Sequence, residues 1–103
     1  MRVVLCTCPP DKASELAERL VGERLAACVN VVPGLTSVYW WEGKVQKGGE
    51  SLLILKTPAL RVEALKARLL QLHPYSVPEF LAFEVAERHG PYADWVRREA
   101  NAP

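Results

Sequence analysis

Three thiols are the most reactive side chains in this sequence, and their spacing limits what they can do. Cys6 and Cys8 form C-x-C, which in an extended segment puts both sulfurs on one face. Zinc and dithiol redox centres use C-x-x-C instead, and Cys28 stands alone at the start of another segment. Cysteine is also a small apolar residue suited to a core, and Cys8 and Cys28 read as structural. Three is an odd count with no scaffold spacing, so reduced thiols in a cytoplasmic setting are expected. The remaining reactive groups form no Ser-His-Asp set, no paired carboxylates at a recognisable spacing and no nucleotide loop. No catalytic residue is assigned, and the chain is expected not to be an enzyme.

The charge balance narrows the partners. Thirteen basic residues face twelve acidic ones, for a net charge of +1 in 103 residues. Without a basic stripe or charge run, neither a nucleic-acid nor a membrane-surface partner is expected. No apolar run approaches the roughly 20 residues that span a bilayer, and no signal peptide precedes the first strand. The length suits one domain, 1–103.

The elements that must position any site follow from periodicity. Arg2 to Cys8 is apolar on both faces, which predicts a central strand. Asp11 is the expected N-cap of a helix running to about Ala27, with Ala13, Leu16, Ala17, Leu20 and Leu25 at helical spacing. Cys28 to Trp41 forms a second strand, interrupted by Pro33-Gly34. Glu42-Gly43 reverses the chain, and Lys44 to Lys56 returns, broken at Gly48-Gly49. Thr57-Pro58 is an expected helix start, with Val62, Leu65, Leu69 and Leu72 as its buried stripe. His73-Pro74 ends that helix, Glu79 to Val85 makes a fourth strand, and Gly90-Pro91 opens a terminal helix through Ala100. The order β-α-β-β-α-β plus a helix predicts an α+β, ferredoxin-like sandwich with strands one and three at its centre.

The hairpin from Leu25 to Thr57 dominates this plan. Its outgoing arm is apolar on both parities: Leu35, Tyr39 and Trp41 on one, Val38 and Trp40 on the other. A chain this short can shield one side at most, so another copy is expected to cover the rest. A charge at Val38, or Trp41→Ala, is expected to loosen that assembly more than it disturbs the core.

The blocks VVLCTCPPD, LAACVNVVPGLTSVYWWEGK, ESLLILKT and HPYSVPE, with Tyr92 and Trp95, resemble the CutA, or divalent-cation tolerance, family over essentially the whole chain. That resemblance implies a tight homotrimer built by intersubunit strand pairing, a cytoplasmic setting, and an association with copper or another divalent metal ion as ligand. It also implies likeness to the trimeric PII signalling proteins. The family's proposed copper ligands fall on Cys6 and His73. Thiolate and imidazole suit copper, although the second histidine that some relatives carry is Leu72 here. Both residues also have structural readings, as a core thiol and a helix-end histidine.

The alternative is a PII-like signalling or scaffold trimer with incidental metal binding. Tyr39, Trp41, Glu50, Lys56, Tyr75 and Glu79 would then line a ligand cleft between subunits, as polar groups within an aromatic wall. Acylphosphatases share the fold and length, but CTCPPDK lacks their glycine-rich loop and its arginine, and its two prolines remove backbone donors.

Overall fold

The computed structural model describes residues 1–101. Four strands, β1 (Arg2–Cys8), β2 (Cys28–Trp41), β3 (Lys44–Thr57) and β4 (Leu81–Glu84), form one sheet in the order β2-β3-β1-β4. Every neighbouring pair is antiparallel. Helices α1 (Ala13–Gly22) and α2 (Val62–Leu72) are each entered through a 3-10 turn, and α3 (Gly90–Glu99) closes the described chain. This is the ferredoxin-like sandwich, with the two doubly apolar strands at the centre.

One face of the sheet carries the core. Val4, Cys6 and Cys8 of β1 and Leu53 and Leu55 of β3 are fully buried there, against Leu16 and Leu20 of α1 and Leu65 and Leu69 of α2. Arg68 of α2 donates to both Glu23 carboxylate oxygens, at 2.8 and 3.1 Å, and clamps the two helices together. The buried residues of α3 lie outside this cluster; that helix packs against β3.

Helix boundaries differ from the periodic expectation. α1 stops at Gly22, five residues before Ala27, because Arg24 turns left-handed at φ 63°. The amide of Leu25 then donates to Leu20 O and that of Arg24 to Val21 O, both at 3.0 Å. This double closure folds Leu25 back beside Leu20, so both stay buried although only one is helical. The periodicity persisted past the helix because burial did. Asp11 lies in the 3-10 turn and caps nothing with its side chain. Thr57 ends β3 rather than capping α2, and its buried hydroxyl donates to Leu25 O at 2.8 Å. β4 is shorter than Glu79 to Val85, since only Leu81–Glu84 pairs with β1.

The β2–β3 hairpin runs past the helices. The radius of gyration is 14.2 Å, against about 13 Å for a compact chain this long, and the longest dimension is 45 Å. Its two-residue turn places Glu42 at φ 51° and Gly43 at φ 76°, the signs a type I′ turn requires. Pro33-Gly34 is a bulge: Val32 pairs with Leu52, yet the next pair is Leu35 with Glu50. One extra residue reverses the parity of everything beyond it. Leu35, Ser37, Tyr39 and Trp41 therefore share the outer face with Val32 and Asn30, away from α1 and α2. Val38 and Trp40 face the helix side, beyond the helices' reach, and are 64% and 74% exposed.

Candidate functional site

A cleft of about 560 Å3 lies on the outer face, between the projecting hairpin and the segment that follows α2. Tyr39 and Trp41 line it from β2, Glu50 from β3, and Tyr75 and Glu79 from the connecting segment. Thr7, Ser37, Ser76 and Val77 complete the lining. Five of the six residues named from sequence thus meet in one place. Lys56 does not. It shares the parity of Glu50 but lies six residues along β3, roughly 20 Å away, where it donates to Asn30 Oδ1.

His73 holds this arrangement together. It is buried at the end of α2, with Nε2 2.8 Å from Thr7 O. Its Nδ1 accepts the amide of Tyr75 at 3.1 Å. A carbonyl only accepts and an amide only donates, so a neutral ring protonated at Nε2 satisfies both contacts. Tyr75 stacks at a tilt on this ring, with centroids 4.6 Å apart. Thus anchored, the Tyr75 hydroxyl donates to Glu50 Oε2 at 2.8 Å across the cleft. Burial, then that hydrogen bond and the Glu50 charge, push the phenol above its ordinary value.

The proposed metal pair has a different character. Cys6 is fully buried on the core face, where burial and then the Cys8 thiol push it up to about 12. Cys8 is likewise pushed up to about 11, first by burial and then by Glu50. Both nitrogens of His73 are engaged within the fold, leaving no free lone pair for a metal. Among the described residues, no three His, Cys, Asp or Glu side chains converge as a metal-binding group. Cys6 and His73, as arranged in one subunit, do not fit a copper site.

A family model described as CutA1 divalent ion tolerance protein matches residues 2–99. The chain belongs to the CutA1 family. It is 51% identical over 96 residues to the divalent-cation tolerance protein CutA of Thermus thermophilus, across 92% of this chain and 93% of that one. It is 44% identical over 93 residues to the human protein CutA, across 89% of this chain but 52% of the human protein, about half its length. The solved structure of the PII-like protein CutA from Nostoc sp. PCC 7120, in apo form, matches with a TM-score of 0.95 at 36% identity over 100% of both chains.

In this CutA1 chain the electrostatics of the cleft make a testable statement about Glu79. Burial, and secondarily the Glu50 carboxylate, hold its carboxyl above the ordinary 4.5. A raised folded-state value means that folding favours the protonated form. That contribution is complete below the unfolded value and is lost as pH rises through the folded one. Glu79→Gln is therefore expected to be more stable than the parent at pH 7. The advantage should shrink as pH falls toward 4.5, in urea denaturation series. An equal gain at every pH would mean that the carboxyl is not strained.

Sequence reasoning missed Thr7, Ser37, Ser76 and Val77. Ser76 and Val77 sit inside the HPYSVPE block, so their place was available. Ser37 shares the parity of Tyr39 and Trp41. Thr7 could be found only by pairing β1 with β3, which sets it opposite Leu52.

Proposed function

We propose that this CutA1-family chain acts as a homotrimeric ligand-binding module, with the outer-face cleft as the ligand site and metal tolerance following indirectly. The observation that carries this reading is the hairpin itself. It presents Val38, Trp40 and Val45 to solvent at 64%, 74% and 58% exposure on one face, and Tyr39 and Trp41 to the cleft on the other. Apolar surface of this kind favours association, and the number three rests on family likeness. The PII-like description of the Nostoc relative fits a trimer that answers to a bound ligand. The assembly is non-catalytic and resides in the cytoplasm, where its three free thiols stay reduced.

A second reading gives Cys6 a metal role. It rests on the family match at Cys6 and His73, since soft thiolate and imidazole suit copper, and it requires His73 to give up its contacts to Thr7 and Tyr75. Native mass spectrometry with and without copper separates the readings, because it counts subunits and ions together. Three variants are compared: the parent chain, Cys6→Ser and His73→Gln, the last of which keeps a donor for Thr7 O. The first reading expects three subunits and the same copper uptake in all. Loss of copper from both variants would restore the Cys6–His73 site.

A further inference from the structure

The lining of the cleft selects a class of ligand. Two carboxylates, Glu50 and Glu79, and three aromatic side chains, Tyr39, Trp41 and Tyr75, line it, and no lysine, arginine or histidine among the described residues does. The two carboxylates feel one another, since the Glu50 charge contributes to the rise in Glu79. The hydrogen bond to Tyr75 occupies one oxygen of Glu50. Within one subunit the rings are only partly covered, at 47% exposure for Tyr39, 45% for Trp41 and 38% for Tyr75.

Each alternative ligand leaves part of this lining unexplained. An anion would meet like charge with no basic side chain of the same subunit to offset it. A neutral ligand would leave two carboxylates to lose water without compensation. A bare hard dication wants about six to eight oxygen ligands for calcium, or an octahedral shell for magnesium, and gains little from aromatic walls. At about 560 Å3 the space also suits a small organic molecule, within the roughly 300–1,000 Å3 usual for such sites. An organic cation uses every feature: its charge is offset by the carboxylates, and its carbon substituents lie against aromatic rings, whose faces attract positive charge.

We propose that the cleft binds an organic ammonium cation, an alkylated amine or polyamine, between Glu50 and Glu79 and against Tyr39, Trp41 and Tyr75. The inference rests on the reading of this cleft as the ligand site and adds the ligand's chemistry to it. Hydrogen bonding from Tyr75 keeps Glu50 oriented, and His73 fixes the segment that carries Tyr75.

Isothermal titration calorimetry on the full chain in its native assembly tests this. The probes are choline, spermidine, magnesium, and 3,3-dimethyl-1-butanol, which copies the shape of choline without its charge. Choline or spermidine is expected to bind, with the neutral isostere about tenfold weaker, a difference of about 1.4 kcal/mol that lies between the exposed and desolvated limits of a cation–aromatic contact. Glu50→Gln and Glu79→Gln keep shape and hydrogen bonding while removing charge, and Trp41→Leu removes a ring. Each is expected to weaken binding of the charged probes by about fivefold. Equal binding of choline and the isostere would overturn the cation assignment and leave the cleft as a ligand site. Binding of magnesium in preference to both amines would overturn it in favour of a metal. Absence of binding by both amines would overturn it as well. Amine binding unchanged in all three variants would put the ligand elsewhere, and the cleft reading would fall with it.

Discussion

Val38→Asp combined with Trp40→Glu is expected to convert the proposed trimer to single chains at micromolar concentration, while the sandwich itself remains folded. Both side chains project from the far half of β2, on the face whose nearer part is covered by α1 and α2. Both are more than half exposed and touch no part of the buried core cluster. Their removal therefore costs a lone subunit little. In an interface, a carboxylate brought out of water without a partner costs about 2 kcal/mol or more. With two such carboxylates on each subunit, a closed ring of three carries six, about 12 kcal/mol in all, more than eight decades in the assembly constant. Sedimentation velocity reads the mass, and far-ultraviolet dichroism reads the fold. A trimer undisturbed by both substitutions would show that the hairpin is not the joint. Trp41→Ala acts on the other face of the hairpin, at the cleft, and its effect on the mass reports on that face separately.

The second large effect is expected from His73→Ala. The imidazole is 6% exposed, and its loss strands the Thr7 carbonyl and the Tyr75 amide while opening a cavity at the end of α2. Two unmade buried hydrogen bonds together with the lost packing amount to about 3 kcal/mol. Urea denaturation at one fixed protein concentration measures it, since the proposed assembly would contribute to apparent stability. His73→Gln restores a donor for Thr7 and is expected to recover part of the loss. The cleft should also lose definition in the alanine variant, because Tyr75 reaches Glu50 only from the segment that His73 pins. A destabilisation below about 0.5 kcal/mol, the range of ordinary surface substitutions, would remove His73 as the anchor.

His73 illustrates how much chemistry a sequence can state without stating its use. The residue pair Cys6 and His73 is legible as thiol and imidazole in the right family blocks. Whether a ring nitrogen has a free lone pair depends on what lies beside it, and here a carbonyl 66 positions away in the chain decides. Lys56 carries the same lesson in another form. Its type and parity match a cleft residue, but only the length of β3 shows that it sits at the opposite end of the sheet.

The order of elements, the two central strands and the aromatic hairpin were determined by the chain alone. Each is written in a local pattern: apolar character on both faces of β1 and of the later half of β3, helical spacing in α1 and α2, and a glycine where the hairpin reverses. Tertiary structure alone decided the face on which Tyr39 and Trp41 lie, the end of α1 and the placing of Thr57. Pro33-Gly34 announces an interruption, but register belongs to two strands at once, and one extra residue against Leu52 and Glu50 turns the aromatic pair into the cleft. Helical periodicity likewise continues through Leu25 because side-chain burial outlasts the helix, once Arg24 bends the backbone back. A pattern along one strand or helix reports which side chains avoid water. Only the partner across the gap determines where they go instead.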